Sequence, residues 1–155
     1  MKNITFLIWG LLCFTILANA QNRNIPVDTT VVTAHTTTIN GATISYTATT
    51  GTQPVWDELG KPIATLFYTY YKKTTKENSA HRPLLISFNG GPGSASVWMH
   101  VAYTGPKVLN IDDEGYPIQP YGVHENAHSI LDVADIVYVN PVNTGYSRTI
   151  PLSKR

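Results

Sequence analysis

Arg82-Pro83-Leu84-Leu85-Ile86-Ser87-Phe88-Asn89-Gly90-Gly91-Pro92-Gly93-Ser94-Ala95-Ser96 is where the fold is decided, because an apolar run breaks there into Asn, three glycines and a proline. Leucine, isoleucine and phenylalanine without polar alternation predict a strand covered on both faces, as in a parallel sheet flanked by helices. Glycines directly after such a strand permit positive φ and leave bare backbone N–H groups that another atom can approach. Such groups suit a negatively charged oxygen. The plainer reading is a tight turn between two elements, which is what most glycine-rich loops are.

The longer string separates the two readings. Phe88-Asn89-Gly90-Gly91-Pro92-Gly93-Ser94-Ala95-Ser96 is followed by Gly105-Pro106 and then by Asp135-Ile136-Val137-Tyr138-Val139-Asn140-Pro141-Val142-Asn143-Thr144-Gly145-Tyr146-Ser147-Arg148. In the order and spacing of these three blocks the chain resembles the N-terminal part of the serine carboxypeptidase family, over most of its length after about Thr36. The resemblance implies an α/β fold: the N-terminal part of an α/β-hydrolase fold, in which an antiparallel β-hairpin region leads into a mostly parallel sheet, here incomplete. In that superfamily the loop after the third strand donates one N–H of the oxyanion hole.

Site roles follow from the resemblance position by position. Asn89 and Gly90 fall where the family binds the free C-terminal carboxylate of a peptide substrate. Gly91 falls where the second glycine offers its N–H to the oxyanion of the tetrahedral intermediate, and losing one such donor typically costs about 2.7–4 kcal/mol. The expected partner is a peptide with a free C-terminus, and no cofactor is expected. The family's nucleophile sequence, Gly-Glu-Ser-Tyr-Gly, does not occur in these residues, so the chain alone is expected to be inactive. Ser87 and Ser94 stand where many members have Trp and Cys, and Tyr103 replaces a Glu that shares a proton in acidic members. Asn140 and Asn143 replace the Asp and Gly of the commoner Asp-Pro-x-Gly-Thr-Gly-Tyr-Ser.

Two other classes stay open. One is a non-catalytic secreted protein that captures peptide C-termini with the glycine loop. The other is a zinc protease, since His124-Glu125-Asn126-Ala127-His128 satisfies His-Glu-x-x-His. That signature binds metal only when both histidines lie one turn apart on a stable helix. Pro120-Tyr121-Gly122 immediately before it and the poor helix former Asn126 argue against such a helix, so no metal site is expected. Asn126 and Ser129 instead fall on an Asn-x-x-Ser segment of the family with a structural role. Gly145-Tyr146-Ser147-Arg148-Thr149 approaches a nucleophile elbow, but Thr149 stands where the elbow needs Gly.

Composition agrees with a globular domain: 43% of the 155 residues are hydrophobic and 14% charged. An α/β-hydrolase needs considerably more chain, so a piece of a larger protein is expected. Residues 1–20 have a secretory signal pattern, with Lys2, an apolar core over residues 4–18, and Ala18-Asn19-Ala20 as the cleavage site. The apolar core is short of the ~20 residues that span a bilayer, so no membrane anchor is expected and the product is secreted or periplasmic. Cys13, the single cysteine, leaves with the signal. So does Lys2, which leaves ten basic and ten acidic residues and no basic field for nucleic acid.

Residues 21–35 read as a leading arm, and residues 36–155 as the carboxypeptidase-like fragment. Asn40-Gly41 between Thr- and Ile-rich runs predicts a hairpin. Residues 51–62 predict a loop, and residues 63–71 a strand whose Leu66, Phe67, Tyr68, Tyr70 and Tyr71 enter the core. Residues 94–103 predict a short helix that presents its N-terminus to an anion and ends at Gly105-Pro106. Asp112-Asp113-Glu114-Gly115 predicts a turn. Residues 135–140 predict a second buried parallel strand, whose edges, lacking the rest of the sheet, should be open and poorly soluble.

Overall fold

The computed structural model describes residues 28–75 and 81–150. The signal-peptide pattern and Cys13 therefore lie outside the described residues. Three long strands form an antiparallel meander: β1 (Thr29–Ile39), β2 (Ala42–Trp56) and β3 (Pro62–Lys73). At the first turn Asn40 and Gly41 have φ of 50° and 80°, the left-handed pair that matches the twist of flanking strands. The turn is also tied down from outside. Asn40 donates its N–H to Ala127 O at 3.1 Å and its Nδ2 to Asp132 Oδ2 at 3.3 Å.

Strand β1 starts at Thr29, well inside the arm expected through residue 35, because the β-branched run Thr29-Thr30-Val31-Val32-Thr33 pairs in register with residues 48–52 of β2. Strand β2 likewise runs through residues 51–56, expected as loop. The true loop is only residues 57–61, folded by Asp57 Oδ1, which accepts the N–H of Leu59 (3.0 Å) and of Lys61 (2.8 Å).

Two short strands complete the sheet. β4 (Leu84–Ser87) and β7 (Asp135–Val139) pair in parallel, Leu84 against Asp135 through Ser87 against Tyr138. The other hydrogen-bonded neighbour of β7 is β3, antiparallel, so the order is β1-β2-β3-β7-β4. A last strand, β8 (Arg148–Thr149), pairs with β3 at Ala64 and Thr65. Strands β5 (Lys107–Leu109) and β6 (Val123–Glu125) form a separate ribbon. Ile111 bridges Pro117 across the expected acidic turn, where Asp112 Oδ1 accepts the Tyr116 N–H at 2.7 Å.

Three expectations change here. The described sheet is mixed, with one parallel pair, rather than mostly parallel. Strand β7 has both edges paired, so the open edges among the described residues belong to β4 and β1 instead. And β4 is not covered on both faces: Leu84, Leu85 and Ile86 are exposed and only Ser87 is buried. Its apolar run asks for a cover that no element among the described residues provides.

The core lies on one face of the sheet, where Ile39, Ile44, Tyr46, Ile136 and Tyr138 meet Leu131 from the 3-10 turn Ile130–Asp132. Among the β3 aromatics expected there, Tyr71 packs against the core and stands edge-on to Tyr46 at 5.7 Å. Phe67, on that same face, pairs with Tyr146 at 5.0 Å. Tyr68 and Tyr70 alternate to the opposite face and stay half-buried, as the two-residue period of a strand requires. One buried ion pair fastens the sheet's centre. Asp135 Oδ1 accepts Arg82 Nε and the Lys73 N–H, each at 3.1 Å, while Arg82 also donates to Leu131 O (2.9 Å) and Asp132 O (3.2 Å).

Candidate active-site loop

Residues 88–96 leave the C-terminal end of the parallel pair β4 and β7, the edge where open α/β sheets bind ligands. The loop is locked at its two ends. Ser96, 2% exposed, accepts the Asn89 N–H on Oγ at 3.1 Å and donates that hydroxyl to Val139 O. Its own N–H goes to Asn140 Oδ1 at 3.0 Å. Asn140, the residue after β7, lies so close to Gly145 that a Cβ there would stand 2.2 Å from Asn140 Nδ2. Glycine at 145 thus lets the two loops close on one amide. Asn140, which stands where the commoner sequence has Asp, supplies the acceptor for the Ser96 N–H through its side-chain oxygen. Asn143 has φ 65°, a left-handed conformation that asparagine tolerates, at the position where the resembling family has Gly.

Between the locked ends the loop stands clear. Gly90, Gly91, Pro92 and Gly93 are exposed, and a Cβ on any of the three glycines would meet nothing within 4 Å. Gly91 has φ 87° and its carbonyl accepts the Ser94 N–H at 3.4 Å, closing the turn. Among the described residues, the N–H groups of Gly90 and Gly91 find no acceptor. Asn89 is half-buried with Nδ2 donating to Ser94 Oγ at 3.1 Å, so Ser94 orients the amide. The same side chain borders a cleft of about 780 Å³ that Trp98, Tyr103, Asp112 and His124 also line. The Asn89 amide, which borders the cleft, is thus followed directly by the two unpaired N–H groups of Gly90 and Gly91.

The expected helix is shorter and wider than its sequence suggests, with π-type turns over Met99–Thr104 after a start at Val97. Gly105 ends it, donating its N–H to His100 O at 3.1 Å. Its first turn is tied to the loop through the His100 N–H, which bonds Ser96 O at 3.0 Å. The half-buried His100 ring stacks on Tyr138, 4.6 Å away, with Nε2 2.6 Å from Tyr71 Oη. Burial in this aromatic pocket lowers the imidazole pKa to about 4 and pushes the Tyr138 phenol up to about 12. Burial raises the Tyr71 phenol as well.

The histidine pair of the zinc pattern does not form a site. Val123–Glu125 is an extended strand, so His124 and His128 do not share a helical face. Hydrogen bonding from Thr38, then Lys107, holds the Glu125 carboxyl below its usual range. Asn126 is buried and donates Nδ2 to Tyr103 O and Gly105 O, both at 2.8 Å, and no group of three metal-binding side chains occurs among the described residues. Ser129 Oγ bonds Thr104 O at 2.9 Å and accepts from Leu131 N, so this segment is scaffold.

Ser147 is equally structural. It is 0% exposed, with Oγ accepting the Phe67 N–H at 2.8 Å and donating to Asn140 O at 2.6 Å. Truncating it in Ser147→Ala leaves the part-buried Phe67 N–H and Asn140 O without this partner and is expected to cost about 1–3 kcal/mol. A denaturant midpoint unchanged from the parent chain would contradict that role. Ser96, Asn140 and Ser147 escaped the sequence reading as a bonded set. The available signal was the placement of small polar residues directly after apolar strands.

Known proteins agree with this architecture. Residues 56–154 match the family model described as serine carboxypeptidase. Carboxypeptidase S1 homolog B of Arthroderma otae is 32% identical over 87 residues, which cover 56% of this chain and 12% of that protein. The crystal structure of a prohormone-processing carboxypeptidase from Saccharomyces cerevisiae superposes with a TM-score of 0.50 and 24% identity, over 68% of this chain and 21% of that one, and supports the fold alone. The chain thus spans a small fraction of the length of the relatives it matches. With the family model matching well over half of the chain and the whole of the glycine loop, this chain belongs to the serine carboxypeptidase family.

Proposed function

We propose that this chain supplies the substrate-carboxylate and oxyanion half of a serine-type carboxypeptidase site. Asn89 Nδ2 and the Gly90 N–H hold the C-terminal carboxylate of a peptide, and the Gly91 N–H receives the oxyanion that forms when the neighbouring carbonyl is attacked. The observation that carries this reading is the pair of unpaired N–H groups at Gly90 and Gly91, presented at the carboxyl edge of a parallel strand pair beside the Asn89 amide. Exopeptidase specificity needs a carboxylate anchor next to the reacting carbonyl, and adjacent residues of one loop provide both. The nucleophile, its base and the orienting carboxylate would come from outside these residues. Residues 1–20 fit an export signal, and no helix among the described residues is long and apolar enough to cross a membrane.

Peptide binding tests the assignment without requiring turnover. Calorimetric titration with a free-acid peptide and its C-terminal amide should show preference for the acid. Asn89→Ala should weaken acid binding by about tenfold to a hundredfold, the worth of a hydrogen bond to a charged group. Equal affinity for acid and amide would overturn the assignment.

A further inference from the structure

Asn89 precedes Gly90, and the same dipeptide recurs as Asn40-Gly41. An asparagine before glycine is where the next backbone nitrogen most easily reaches the side-chain carbonyl carbon, because no Cβ obstructs the approach or narrows the backbone. The two dipeptides are held differently. Asn40-Gly41 is the turn between two long paired strands. Both asparagines are bonded through N–H and Nδ2, Asn40 to Ala127 O and Asp132 and Asn89 to Ser96 Oγ and Ser94 Oγ. Asn89-Gly90 opens the exposed arc of the loop. The Gly90 N–H has no acceptor among the described residues, and a Cβ at Gly90 or at Gly41 would meet nothing within 4 Å, so the difference lies in the paired strands that fix the turn at Asn40.

We propose that Asn89 is a self-modification site, deamidating through a succinimide with Gly90 in the folded chain while Asn40 is spared. The Gly90 nitrogen, losing its proton to solvent base, attacks Asn89 Cγ. The N–Cγ bond forms, the Cγ–Nδ2 bond breaks, and Nδ2 departs from its contact with Ser94 as ammonia after taking up a proton. Water then opens the ring. Attack at Cγ gives aspartate, and attack at the backbone carbonyl carbon gives isoaspartate. The net change is one water in and one ammonia out, with no oxidant or reductant. Its consequence rests on the proposed carboxylate-binding role: either product sets a negative charge where the substrate's own carboxylate is held. The isoaspartyl form also inserts a carbon into the backbone leading to Gly91. The site would switch off with age.

The test holds the 155-residue chain folded at mildly alkaline pH beside a sample in strong denaturant. Timed digests are read by mass spectrometry for acid and isoaspartyl forms of the two peptides. In the folded sample Asn89 converts, and Asn40 lags by about tenfold for every ~1.4 kcal/mol that opening the hairpin requires. In denaturant both convert alike, and Gly90→Ala suppresses conversion at Asn89 only. The proposal is overturned if Asn89 persists in the folded chain while it converts in denaturant, or if both sites convert equally in the folded chain. Titrating the aged samples with the free-acid peptide separates the two readings. Conversion of Asn89 with binding unchanged keeps the modification and removes the carboxylate role.

Discussion

Asp135→Ala is expected to lower stability by about 3–5 kcal/mol, the usual loss when one member of a buried ion pair is removed and the other charge is left behind. The side chains of Arg82 and Asp135 are 16% and 8% exposed, so solvent does little to rescue either. The carboxylate also receives the Lys73 N–H and the Tyr70 hydroxyl, the latter at 3.4 Å. Deleting it therefore unfastens the end of β3, the start of β7 and the approach to β4 together. Domains of this size have only about 5–15 kcal/mol in total, so the variant should populate unfolded chain under native conditions. Asp135→Asn keeps the shape and one acceptor and should lose less. Urea unfolding of the three chains measures the ranking, and a loss under about 1 kcal/mol for the alanine variant would place this pair with weak surface bridges.

Stability should also fall as the solution is made acidic, and His100 is the cause. The unfolded imidazole titrates near its ordinary value of 6.5, whereas the folded-state ring takes a proton only near pH 4. Because the folded value is depressed, the contribution of the neutral ring is fully present above pH 6.5. It is lost progressively between pH 6.5 and 4, where the unfolded state binds the proton and the folded state does not, and the total is roughly 3 kcal/mol. The groups facing the ring are the Tyr71 and Tyr138 phenols, both pushed up by burial and neutral throughout this window, so no neighbouring charge offsets the loss. His100→Phe should flatten the dependence of the urea midpoint on pH above 5, before most carboxylates titrate. An identical slope in parent and variant would remove His100 as the source. Since the His100 N–H is bonded to Ser96, the same titration should loosen the far end of the glycine loop.

The motifs that name the family were legible because each is a backbone requirement written in residue types. Gly91 turns with positive φ, and Asn40-Gly41 takes the left-handed pair that closes a hairpin. Two unalternating apolar runs, at residues 84–87 and 135–138, were also readable as strands of a parallel type, and the structure pairs them with each other. Pairing partners farther along were not. Nothing local in residues 135–139 says that β3 lies on their other side, because register between distant strands is set by which faces are buried together. The long extent of β1 and β2 was hidden by threonine, which suits solvent-facing strand positions as well as polar loops. At the site, the loop was visible, whereas the Ser96–Asn140 lock that holds it depends on contacts between residues 44 positions apart.

Gly90 differs from the other glycines in what asks for it. Gly91 and Gly93 sit at positive φ, and at Gly145 a side chain would strike Asn140. Gly90 has neither constraint: its backbone is not left-handed and the space beside its Cα is empty. A library of variants sorted only for folding would let position 90 drift while holding positions 91, 93 and 145. If Gly90 binds the substrate carboxylate as proposed, glycine there serves a molecule that must come nearer to the backbone than any side chain allows.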